Sequence, residues 1–69
     1  MTKPLAQEAC DAGFKDGVQK MIHILFDGWV TANTAAERRQ AVQRFQRGLG
    51  IYKEAYEAAR KTIDEEFTE

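Results

Sequence analysis

Cysteine is almost absent: Cys10 is the only one in 69 residues. No intrachain disulfide is therefore available, and nothing resembles the paired-cysteine spacing of a zinc site. A chain this short has little interior, so its core needs a supplement other than a disulfide or a structural metal. Histidine also occurs once, at His23, and proline once, at Pro4. Long apolar runs are missing as well. The most apolar stretch, Met21 to Phe26, is interrupted by His23 and falls far short of the roughly 20 residues a membrane span requires. The opening MTKPLAQEACDAG lacks the apolar centre of an export signal. These absences predict a soluble, cytoplasmic chain with no membrane partner. Charge of neither sign dominates, with ten cations against eleven acids. This argues against nonspecific adhesion of the whole surface to nucleic acid or anionic lipid, while leaving local patches open.

What the sequence has in quantity is helical periodicity. From Thr34 to Phe67, Ala35, Val42, Leu49, Tyr56 and Ile63 recur at every seventh residue, with Phe45, Tyr52 and Ala59 three residues after the middle three. That alternation of three and four marks a helix packed along one seam. Upstream, Phe14, Val18, Met21, Ile22, Leu25 and Trp29 recur at similar steps. A first helix is expected from about residue 4, where proline suits the opening turn near a Thr2 or Lys3 cap, to about residue 31. Thr34-Ala-Ala-Glu37 is a capping-box pattern, so the second helix should span about residues 35–67. The connection is short enough to force the helices side by side and antiparallel.

The fold class is thus all-α: one helical domain over residues 1–69, built as an antiparallel two-helix hairpin. Gly48-Leu49-Gly50 is the weak point, since two interior glycines cost roughly 1 kcal/mol each relative to alanine. A three-helix fold broken at Gly48–Gly50 is the alternative. The seam argues for continuity, because Phe45, Leu49, Tyr52 and Tyr56 keep their spacing through the glycines. Small residues form two further ribbons: Ala6, Cys10, Gly13 and Gly17 on the first helix, and Ala41, Gly48, Ala55 and Thr62 on the second. With equal rise per residue, facing positions sum to roughly 65, which sets Gly17 against Gly48 and Cys10 against Ala55.

A two-helix hairpin has one internal interface, and Ile24, Phe26, Trp29, Val30 and Ile51 are left on its outside. They are expected to form an oligomer or partner interface, in the simplest case with a second copy in a homodimeric four-helix bundle. Charge suits this. From Glu37 to Lys53 the second helix carries five cations against one acid, and from Glu54 to Glu69 six acids against Arg60 and Lys61. This runs against the helix dipole and would pair antiparallel copies basic half to acidic half.

Chemistry is thinly signalled. His23 and Asp27 are four residues apart on a helix, but no second histidine or carboxylate cluster accompanies them. Cys10 has no histidine near it in sequence and reads as a small packed group. Gly48-Leu49-Gly50 follows a helical pattern and lacks the rest of a nucleotide fingerprint. No catalytic, metal or cofactor site is therefore expected. The expected function is a small homo-oligomeric helical protein acting through protein contacts, with itself and with another protein, as an adaptor, assembly subunit or regulator. The alternative is a nucleic-acid-binding regulator, because Arg39, Gln40, Gln43, Arg44 and Arg47 project from one strip and suit phosphates and base edges.

Overall fold

Thr2 has extended backbone, and its hydroxyl accepts from the Leu5 amide at 3.4 Å, satisfying one of the donors a helix start leaves unpaired. The computed structural model describes residues 1–67. Its two helices are α1 (Lys3–Thr31), opening with Pro4 in the first turn, and α2 (Ala35–Glu66). Ala32, Asn33 and Thr34 connect them. The Thr34 hydroxyl accepts from the Glu37 amide at 3.1 Å. The Glu37 carboxylate accepts from the Asn33 amide at 3.2 Å, one residue before the position an ideal capping box uses.

α2 runs unbroken through Gly48, Leu49 and Gly50, and no glycine has a positive φ among the described residues. This overturns the three-helix alternative. The seam residues on either side hold the helix together where the glycines by themselves weaken it.

The facing register also differs from the one that equal rise predicts. A Cβ added to Gly17 would overlap the hydroxyl and ring of Tyr52, and one added to Gly48 would touch the Met21 sulfur at 3.4 Å. Gly17 therefore faces Tyr52 rather than Gly48. Side chains lean toward the N-terminus of their own helix, so a long side chain on α2 reaches toward the turn and meets α1 further along. The space at Gly17 is filled by a ring. True close approach of the two helices occurs near the turn instead, where a Cβ on Gly28 would lie 3.3 Å from that of Ala41.

The hairpin is a rod one layer thick, with Cα extents of 53 × 15 × 8 Å. Its radius of gyration is 15.9 Å, against about 11 Å for a compact chain of this length. Among the described residues only Ala6 and Ala41 are buried, at 6% and 4% exposure. The large seam residues Phe14, Val18, Met21, Leu25, Val42, Phe45, Leu49, Tyr52, Tyr56 and Ile63 are half-buried, whereas Ala35 and Ala59 stay exposed. A layer of secondary structure needs a second layer to cover its apolar side. Within one copy that second layer is missing.

Candidate functional site

A single layer has two broad faces, and helical spacing assigns different residues to each. Phe14, Val18, Ile22, Leu25 and Trp29 follow one another at steps of four, four, three and four on α1, beside Val42, Leu49 and Tyr56 on α2. This is the bulky face. Phe14 anchors its middle, with ring centroids 4.5 Å from Tyr56 and 5.6 Å from Tyr52. Near the turn, the Arg38 guanidinium lies over the Trp29 ring at 5.4 Å, a cation–π contact.

Toward the chain ends the same face becomes polar, because Gln7 and Asp11 lie one heptad before Phe14 and Val18. Bridges close it there. Asp64 takes the Lys3 ammonium at 3.3 Å and the Gln7 amide at 3.1 Å. Arg60 donates to the Tyr56 hydroxyl at 3.0 Å, and Tyr56 in turn donates to Asp11. The hydrogen bond from Tyr56, with the Asp11 carboxylate behind it, raises the Arg60 guanidinium above its ordinary value. Asp64, in the acidic end of α2, thus lies beside the N-terminus of α1, where a carboxylate complements the neighbouring helix's dipole.

The small-residue ribbon lies largely between the helices, where Ala6 and Ala41 are buried, Gly17 meets Tyr52 and Gly48 meets Met21. At the open end of the hairpin lies a groove of about 610 Å³, lined by the small residues Ala6, Ala9, Cys10, Gly13, Ala55 and Ala59 together with Phe14, Tyr52, Tyr56 and Ile63. None of the bridging residues Lys3, Gln7, Asp11, Arg60 or Asp64 lines it.

The five apolar residues expected at an interface are all exposed, but they do not form one patch. Phe26, Trp29 and Val30 come together with Leu25 and Val42 around an open groove of about 300 Å³. Ile24 lies apart, in a smaller groove with Met21, Leu25, Ala41, Arg44, Phe45 and Gly48. Ile51 lines neither of these grooves and is 63% exposed. Leu25 and Val42 are the patch members that counting exposed residues overlooks. Their signal was present: Leu25 is four residues before Trp29, and Val42 belongs to the seam.

Arg39, Gln40, Gln43, Arg44 and Arg47 are all exposed. Arg39 and Gln43 flank a groove shared with Trp29, Ala35, Arg38 and Val42, whereas Arg44 leans to the other side against Met21 and Ile24. The strip therefore wraps the outer edge of the rod. Among the described residues, Arg39, Arg44 and Arg47 have no carboxylate within 4 Å. Split at the level where Gly17 meets Tyr52, residues 18–51 carry five cations against two acids. Residues 1–17 and 52–67 carry five against eight. The rod has a basic turn end and an acidic open end. Glu69, part of the acidic half in sequence, lies outside the described residues.

His23 and Asp27 are both exposed, with no hydrogen bond between them among the described residues. No group of three or more His, Cys, Asp or Glu side chains is placed to hold a metal ion among the described residues. The Asp16 carboxylate accepts from Lys20 at 3.0 Å, and that hydrogen bond together with the carboxylate's charge raises the Lys20 pKa. No described helix is long and apolar enough to cross a membrane. The chain matches no protein-family model, and no curated protein or solved structure is significantly similar to it.

Proposed function

We propose that this chain is a homo-oligomeric helical protein that works through protein–protein contacts, as an adaptor, an assembly subunit or a regulator of a partner, rather than by catalysis. Its first partner is a second copy, giving a homodimeric four-helix bundle. The observation that carries this reading is the uncovered bulky face of a one-layer rod in which, among the described residues, only two alanines are buried. Surface area agrees. A folded monomer of 7.9 kDa typically exposes about 4,400 Å², and this one exposes 5387 Å². Covering the excess of about 1,000 Å² on each of two copies buries about 2,000 Å², the lower range of obligate homodimers. Sedimentation at micromolar concentration tests the reading. The expected species has twice the chain mass, and a fully helical monomer would refute it.

A second reading is a nucleic-acid-binding regulator, favoured by the three arginines of the outer strip that have no carboxylate within 4 Å among the described residues. It requires a salt-dependent mobility shift with mixed DNA or RNA, abolished by Arg39→Ala together with Arg44→Ala. Absence of any shift at low salt removes it.

A further inference from the structure

Resting on the self-association reading, we infer that two copies pair through their bulky faces in one orientation. They lie antiparallel, with the turn end of each beside the open end of the other. Three observations point the same way.

Apart from Ile63, the large apolar residues of this face lie in one stretch, from Trp29 near the turn to Phe14 and Tyr56. Beyond it the Asp11, Arg60 and Asp64 bridges make the face polar. A second copy therefore overlaps that stretch rather than the whole 53 Å rod. The centre of the stretch on α1 is near Ile22, seven residues before Trp29 and eight after Phe14. A twofold axis there brings Trp29 of each copy to the level of Phe14 and Tyr56 of the other. Aromatic side chains then meet across the interface.

Charge selects the direction. The parallel alternative sets basic turn end against basic turn end and acidic open end against acidic open end. The antiparallel one pairs opposite signs at both ends, and such complementarity fixes orientation more than affinity.

Symmetry supplies the third constraint. A twofold pair uses the same face on both copies and closes at two. Stacking the bulky face of one copy on the opposite face of the next is heterologous and has no built-in stopping point.

The test is a nitroxide pair distance on full-length protein carrying Cys10→Ser and Asn33→Cys, with the label in the turn. Asn33 is eleven residues from Ile22, about 16 Å along the rod, so antiparallel copies separate the two labels by about 33 Å. Parallel copies bring them to about one helix spacing, roughly 10 Å. A dimer with the long distance supports the inference. A dimer with the short distance overturns the orientation and leaves self-association standing. Mass that keeps growing with concentration overturns the twofold face pairing in favour of head-to-tail stacking. A helical monomer in sedimentation sinks the underlying reading instead. Leu25→Glu, at the centre of the face, should abolish the dimer, while Ile51→Glu, off that face, should keep it. Equal loss in both variants would count against the assigned face.

Discussion

Replacing glycine by alanine inside a helix removes backbone freedom from the unfolded chain and stabilises by roughly 1 kcal/mol where the added methyl meets nothing. Gly50 meets that condition, since nothing lies within 4 Å of an added Cβ and the position faces away from α1. Gly50→Ala should therefore raise stability by about 1 kcal/mol, or about 4–8 °C in Tm for a domain of this size. Gly17 receives the same chemical change with the opposite result. There the methyl overlaps the Tyr52 hydroxyl and ring. The ring must swing away, loosening its 5.6 Å contact with Phe14 and its 3.3 Å hydrogen bond to the Gly13 carbonyl. Overpacking costs about 1–3 kcal/mol and the lost hydrogen bond about 1 kcal/mol. After the helix gain of about 1 kcal/mol, Gly17→Ala should destabilise by about 1–3 kcal/mol. Urea titration followed by helical circular dichroism measures both variants, at one fixed protein concentration because self-association makes apparent stability depend on it. In a Tyr52→Ala background the Gly17→Ala change should turn stabilising, which isolates the pair. If Gly17→Ala in the native background stabilises as much as Gly50→Ala, Tyr52 does not occupy the space at Gly17 and the helix register is wrong.

Thr34→Ala removes the hydroxyl that accepts from the Glu37 amide and should cost about 1 kcal/mol, with Thr34→Ser retaining most of the stability in the same titration. The Lys20 amine is raised above its unfolded value by Asp16, so this pair contributes below the ordinary lysine range and is lost as pH rises through the raised pKa. In Asp16→Asn the Lys20 side-chain signals in an NMR titration should move to lower pH; an unchanged midpoint would mean the pair does not persist in solution. Ile51→Ser, at an exposed position, should change stability by less than about 0.5 kcal/mol. A larger loss in the denaturation midpoint would show that Ile51 is covered in the assembled protein.

Helix existence, type and ends were legible in the residues because they depend on neighbours within one or two turns. The spacing of Val42, Leu49, Tyr56 and Ile63, the Thr2 and Thr34 caps and the placement of Pro4 all act at that range. Continuity through Gly48–Gly50 was legible for the same reason: the seam spacing passes through it. The grouping of the exposed apolar residues was not. Ile24 and Phe26 are two positions apart in sequence yet point to opposite sides of the rod, and exposure by itself does not separate them.

By itself, the sequence determined a two-helix hairpin with an amphipathic seam, a basic stretch and an acidic stretch. Only the tertiary structure decided what those features face. It set Gly17 against Tyr52, closed one face with Lys3, Gln7, Asp11, Arg60 and Asp64, and gathered Leu25, Phe26, Trp29, Val30 and Val42 into one patch. The reason is one of range. Periodicity records which side of its own helix a residue occupies, whereas stagger between helices depends on how far long side chains lean and on where a glycine leaves room for a ring.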